Sequence, residues 1–373
     1  MVSASSSEQG WWLYGNDLEL AQTLQDQRIR ASRDEEEQAQ QIAILTYLGA
    51  YQQCRDWLNR TNALHYSHGR YALCRAQRAA QDANPWAALA PPERLAELLG
   101  PIDQAAEQDQ PIGVDLVGGI GDQLETSSLV LMLNKLDAPP VQLRLHPGQT
   151  QADVIRPFLA SSIAAPLLTQ TSDDLAVRVS SPLFRYWLGT IQAPIQYGAI
   201  KATANPGAKR AQRTLILTCW RTKPDPIHPL SSFSRSLPFR TIFALMQRWQ
   251  SQLNEANITL LDMSEYTAEE TALITTHFNN VKCIRPKIQA LSDTIQYMEQ
   301  CIRIASVDTS LTHLSATCGR DVDLLLPLHP DERWLELLQQ PGVYQDHVTP
   351  HQQVSFHDWE QPLQSLSHSL QLI

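Results

Sequence analysis

Between Ile304 and Trp334 the chain reads IASVDTSLTHLSATCGRDVDLLLPLHPDERW, and this stretch leaves little choice of fold. An apolar run enters Asp308 and Thr309; Leu311, Leu314 and Ala316 then recur on one helical face, and Val322 to Leu326 read as a second buried strand. Strand, polar turn, helix and strand within so short a span form a β-α-β unit, which requires a parallel sheet. Where such a strand ends and a helix begins, unbonded backbone N–H groups face outward and favour an anion. Asp308 and Thr309 can therefore be plain helix caps or the wall of a pyrophosphate pocket. His313, one turn into the helix, reads equally as a core histidine or as part of that pocket.

The same alternation extends over most of the chain. At Ile112 the sequence turns to IGVDLVGGIGDQLETSSLVLMLNKL: an apolar strand, a Gly-rich turn, and a helix with Leu124, Leu129, Val130, Leu131 and Leu133 on its apolar positions. Strands at Val141 to Leu145 and Leu175 to Val179, around a helix from Ala152 to Leu159, continue a first unit. Alternation restarts at Thr214 to Cys219, with strands at Ile258 to Leu261 and Val281 to Ile284 before the opening motif. Helices are expected at Phe239 to Leu253, near Glu269 to His277, and at Ile288 to Gln300. Residues 1–10 are Ser-rich and expected to be disordered, whereas 11–110, rich in Ala, Leu, Gln and Arg, are helical by propensity. The expected division is thus a helical region at 11–110, α/β domains at 111–200 and 201–360, and a closing amphipathic helix at 361–373. Gln192 to Arg213 is the candidate linker.

Composition excludes several classes. A formal charge of −10 opposes general affinity for nucleic acid or anionic membrane, so any phosphate chemistry must be local. No basic-flanked apolar leader and no long apolar run is present, which leads to the expectation of a cytoplasmic protein without a transmembrane segment. The six cysteines never form a C-x-x-C pair, and the histidines show no ligand spacing; reduced thiols and no metal site are expected.

Two further motifs carry chemistry. The turn Gly118, Gly119, Gly121 and Asp122 lacks the third glycine of the dinucleotide fingerprint, which argues against a dehydrogenase. Asp122 is either a helix cap or a general base that deprotonates an acceptor hydroxyl. The loop TCWRTKPDPIHPLSSFSRSLP carries Arg221, Lys223, His228 and Arg235 at the end of a strand, either as an ordinary surface loop or as a phosphate clamp.

In order, GGIGDQLE, CWR-x-K with FSRSLP, SVDTSLTHLSATCG and LLPLHPDERWLELL resemble the motifs of the bacterial ADP-heptose:lipopolysaccharide heptosyltransferase family. The particular branch resembled carries this domain after tetratricopeptide-like helices. Residues 112 to 370 are covered, and the specific part is Pro327, Pro330, Asp331, Arg333 and Trp334 following His313, then Asp358 and Trp359. The resemblance implies an α/β fold of the GT-B type, a pair of doubly wound Rossmann-like domains preceded by a small all-α region. It implies metal-independent transfer of a hexosyl or heptosyl group from a nucleotide-diphosphate sugar, the donor substrate, to a glycan or protein hydroxyl, with no further cofactor. Asp122 would be the base, with Gly118, Gly119 and Gly121 as the acceptor-side turn. Arg221, Lys223, Asp308, Thr309, Ser310 and His313 would hold the diphosphate, supported by Arg235, Asp331 and Arg333. The chain departs from the family at Ser310, where heptosyltransferases carry Gly, and at Thr222, where the branch often does. A non-catalytic scaffold, using the helical region for protein partners, is the alternative.

Overall fold

In a computed structural model of the chain, residues 17–80, 92–135, 140–145, 152–169, 175–193, 195–201, 215–223, 234–331 and 333–372 are described. The amino-terminal segment expected to be disordered, most of the candidate linker, and residues 224–233 with His228 lie outside them. The chain divides into two units: Asp17–Ile200 with His329–Gly342, and Lys201–Leu328 with Val343–Ile373. The segment 329–342, which the sequence assigns to the second α/β domain, thus belongs with the first.

The first unit begins with helices at Leu18–Ala31, Glu35–Tyr47, Tyr51–Leu58 and Ser67–Ala79. Asp17 and Asp34 cap the first two by accepting from Leu20 N and Glu37 N. Ile29, Ile42, Leu45, Cys54, Leu58 and Ala72 close a core of their own. After the helix Pro92–Glu107, a three-stranded parallel sheet forms in the order β2-β1-β3, from β1 (Ile112–Leu116), β2 (Val141–Leu145) and β3 (Val177–Ser180). Helices Ile120–Leu133 and Ser181–Thr190 pack on it; the second starts at a Ser-Pro pair, with Pro182 in the first turn, where a missing N–H costs nothing.

The second unit is a six-stranded parallel sheet, β6-β5-β4-β7-β8-β9, made of β4 (Leu215–Cys219), β5 (Thr259–Asp262), β6 (Val281–Cys283), β7 (Arg303–Val307), β8 (Val322–Leu326) and β9 (Val348–Gln352). That is the doubly wound 3-2-1-4-5-6 order, with its topological switch point between β4 and β7. Val322, Leu324, Leu325 and Leu326 are buried, as a central parallel strand requires. Ile216, Trp220, Leu245, Met246, Trp249 and Leu260 form the core on one face, closed by Trp359, Leu363, Leu366 and Leu370 of the carboxyl-terminal segment and its helix Glu360–Leu370. The protein is α/β, with two Rossmann-like units and a helical amino-terminal region. All six cysteines are free, and five are buried. Among the described residues no helix is long and apolar enough to cross a membrane.

Candidate functional site

In the second unit the carboxyl ends of β4 and β7 converge, and the two motif loops meet there. Beyond β4, Trp220 is fully buried; its amide donates to Ser264 Oγ (2.7 Å) and its carbonyl accepts from Leu237 N (2.9 Å). Ser264 Oγ in turn donates to the buried Asp262 at 2.6 Å, and Tyr266 OH donates to the other oxygen at 2.7 Å. Burial raises the Asp262 carboxyl, and the hydroxyl and amide donors around it pull it back. Tied by this relay between the β4 and β5 ends, the cationic loop leaves the sheet at a defined place. Thr222 N donates to Ser236 Oγ at 3.0 Å, holding the two ends of the loop together.

The cations are distributed around this edge. Arg235 reaches the Asp308 carbonyl at 3.3 Å and its carboxylate at 3.5 Å. Arg221 is ion-paired with Glu270 at 2.8 Å, beneath the ring of Tyr266. Lys223 is exposed at the end of the described loop. Across the crevice Thr309 is the N-cap of the helix Ser310–Thr317, accepting from Leu311 N at 3.2 Å, with Ser306 Oγ 2.9 Å from its hydroxyl. Ser310 is the first helical residue and has no positive φ, so its backbone asks for nothing that only glycine supplies. Asp308 is buried, whereas Thr309 and Ser310 are half-exposed. His313 is buried and its Nδ1 lies 3.0 Å from Tyr344 OH, inside the fold. Cys219 is no nucleophile: burial, with Asp262 nearby, pushes its thiol up to about 12.

In the first unit the Gly-rich turn follows β1. Gly118 has φ +89°, and a Cβ there would stand 2.8 Å from Asp122 Oδ2, so backbone and space both demand glycine. Gly119 donates its amide to that same oxygen at 2.7 Å, the returning half of a capping box, and Gly121 lies in the first helical turn. The other oxygen of Asp122 is ion-paired with Arg333 Nη1. Asp122 thus caps its helix and also holds a charge, with its side chain 44% exposed.

Arg333 opens a set of charges whose pairing no motif announces. Its guanidinium contacts Asp331 at 3.3 Å through both Nε and Nη2, and its amide donates to Asp331 Oδ1 at 3.1 Å. Tyr71 OH donates to Asp331 Oδ2 at 3.2 Å, and Arg78 Nη1 lies 4.0 Å from Oδ1. Arg78 also pairs with Glu336 at 2.8 Å. Arg185 pairs with Glu125, lies 3.8 Å from Glu336, and meets Tyr197 OH at 3.3 Å. Burial alone would raise Asp331, but Arg333, Arg75 and Arg78 hold it far below the usual carboxylate range. Glu125 is raised by burial, with Arg185 and Arg333 opposing. Of the residues singled out from the sequence, Asp122, Asp331 and Arg333 therefore form one cluster, and Arg235, Asp308, Thr309 and Ser310 another. Arg75, Arg78 and Arg185 carry no sequence signal beyond the i, i+3 spacing of Arg75 and Arg78, and Glu125 and Glu336 lie within the quoted motifs without a role that the sequence marks.

No protein-family model matches the chain, and no curated protein matches it. Among solved structures it is similar to E. coli ADP-heptose lps heptosyltransferase II, at 13% identity over 70% of this chain and 98% of that one, with a TM-score of 0.43. It is similar to the glycosyl transferase family 9 protein from Veillonella parvula DSM 2008, at 11% identity over 70% and 97%, TM-score 0.42. It is also similar to E. coli heptosyltransferase WaaC with ADP, at 10% identity over 70% of this chain and 99% of that one, TM-score 0.43.

Proposed function

We propose that the chain is a glycosyltransferase of the heptosyltransferase type, with a GT-B architecture. It takes a nucleotide-diphosphate sugar at the β4–β7 switch point and passes the sugar to a hydroxyl of a glycan or protein, without a metal ion. The observation that supports this most is the approach of Arg235 to Asp308 at the start of the Ser310–Thr317 helix. A cation and a helix N-terminus at the carboxyl edge of a doubly wound sheet form a site for a diphosphate. In the step itself, Asp122 takes the proton of the acceptor hydroxyl while its oxygen bonds to the anomeric carbon. The bond from that carbon to the phosphate oxygen breaks, and its electron pair leaves with the nucleoside diphosphate. Arg235, Arg221, Lys223 and the amides at Thr309 and Ser310 neutralise the charge that develops.

A binding-only reading is favoured by one feature: both oxygens of Asp122 are engaged, by the Gly119 amide and by Arg333. Calorimetric titration with ADP, UDP, GDP and CDP, followed by transfer assays with the matching nucleotide sugars, separates the two. The transferase reading expects Arg235→Ala to weaken nucleoside-diphosphate binding about tenfold, the loss of one charge-assisted contact. It expects Asp122→Asn to abolish transfer while sparing that binding. Nucleotide binding without turnover in the unaltered chain favours the binding-only reading, and no response to any nucleotide overturns both.

A further inference from the structure

We propose that the amino-terminal helices are a working part of the Asp122 site: Arg78, Arg75 and Asp331 are positioning residues that set the Arg333 guanidinium against the Asp122 carboxylate. The inference deepens the transferase reading and rests on it for the role of Asp122. Its physical core, the coupling from helix to turn, stands on geometry alone.

An arginine side chain has many rotamers, and holding one of them against a partly exposed carboxylate requires a second anchor. For Arg333 that anchor is Asp331, gripped at 3.3 Å by two guanidinium nitrogens. Asp331 is itself fixed from the helical region, by Tyr71 OH at 3.2 Å and by Arg78. The residues leading into it are fixed there too. Arg75, almost fully buried and stacked 4.0 Å over the Tyr47 ring, reaches the Pro330 carbonyl at 3.4 Å. The His329 ring lies against the turn at Gly49, where an added Cβ would come within 2.3 Å of it and φ is +66°. Beyond Arg333, Arg78 holds Glu336 at 2.8 Å on the same short helix, Arg333–Leu337. His329, Pro330, Asp331 and Glu336 are therefore placed by helices Glu35–Tyr47 and Ser67–Ala79 and the turn at Gly49, and Arg333 delivers that placement to Asp122. The depressed pKa of Asp331 agrees with this, since it records several cations gathered on one carboxylate.

Hydrogen exchange on the full-length chain tests the coupling without any substrate. The Gly119 amide is protected by Asp122 Oδ2, so freeing Asp122 speeds its exchange. Arg78→Met and Asp331→Asn should each raise exchange in residues 118–122 about tenfold, the factor that one lost charge-assisted bond brings. Arg78→Lys should give an intermediate value, and strands β2 and β3 should keep their protection. Faster exchange at 329–337 with no change at 118–122 in Asp331→Asn overturns the proposal, as does uniform acceleration across the unit in all three variants. In transfer assays Asp331→Asn should lower kcat and leave the donor KM unchanged. If Asp122→Asn transfers normally, the base assignment falls, and the exchange data still decide the coupling.

Discussion

Removing the guanidinium from the Arg185–Glu125 pair exposes how much of the first unit rests on buried charge. Both side chains are only 5% exposed, and the next cation to Glu125 is Arg333, 3.9 Å away. In Arg185→Met the apolar stem of the side chain is kept, and Glu125 is left buried without its main partner. Breaking a buried pair from one side costs about 3–5 kcal/mol, because the orphaned charge keeps its desolvation penalty. For a unit of this size each kcal/mol lowers Tm by roughly 2–4 °C, so a fall of about 6–20 °C is expected near pH 8. The loss must depend on pH in a set direction. Burial already raises Glu125 above its ordinary 4.5, and losing Arg185 raises it further. The folded state then binds a proton that the unfolded state has released, so stability falls as pH rises through and above that ordinary value. Calorimetry from pH 4.5 to 8, with exchange on residues 112–133 to identify the unit that melts, measures both quantities. Adding Glu125→Leu should recover most of the stability and abolish the pH slope, since an apolar pair of similar volume replaces the ionic one at little cost. A single variant within about 1 kcal/mol of the native chain at pH 8, with no slope, would refute the reasoning and reclassify the pair as screened by solvent.

Gly118→Ala forces a side chain into a left-handed backbone and against the Asp122 carboxylate, 2.8 Å from the new Cβ. A loss of about 1–2 kcal/mol in urea denaturation is expected from the backbone alone. Transfer should fall together with it, whereas Gly100→Ala, where the added Cβ meets nothing within 4 Å, should leave transfer intact. His357 sits at φ +59°, and burial lowers its pKa from 6.5 to about 4. Its depressed value means stability is complete above the unfolded pKa and is lost as pH falls towards the folded one. His357→Asn, which tolerates the same backbone, should flatten the stability profile between pH 6.5 and 4. An unchanged slope would assign that window to other groups.

The second sheet was readable because its central strands are mostly apolar, and a strand buried on both faces needs no strict periodicity to be recognised. The edge strand β9 was not, since VTPHQ buries Val348 and His351, exposes Thr349, Pro350 and Gln352, and so follows no period of two. Proline is tolerated there because an edge strand has an unpaired side. The Ser310–Thr317 helix and its cap follow from local chemistry, so Thr309 was legible as an N-terminus. The burial of His313 against Tyr344 was not, because that contact is set by a segment thirty-one positions later. The charge cluster lies further out of reach. Asp122 and Arg333 are 211 positions apart, and Arg78 and Glu336 are 258 apart, separations at which no pattern in the chain links one residue to the other. Motif order alone brought Asp331 and Arg333 forward, with no indication that Asp122 was their partner.

The excursion of residues 329–342 bears on how the chain is made. Domains fold as they emerge from the ribosome, at about 5–20 residues per second, with the amino-terminal one first. Here the first unit is left incomplete when Ile200 appears, because the residues that neutralise Arg78 and anchor Asp122 arrive only with His329–Gly342. At those rates the wait is roughly 7–28 s. During that interval Arg75, Arg78 and Arg185 stand in a nascent core whose later acidic partners have not been synthesised. A chain released before Asp331 would keep its first sheet and lack Asp331 and Glu336, the late counter-charges of that core, so premature termination reaches into the amino-terminal half although it falls far from it in the sequence.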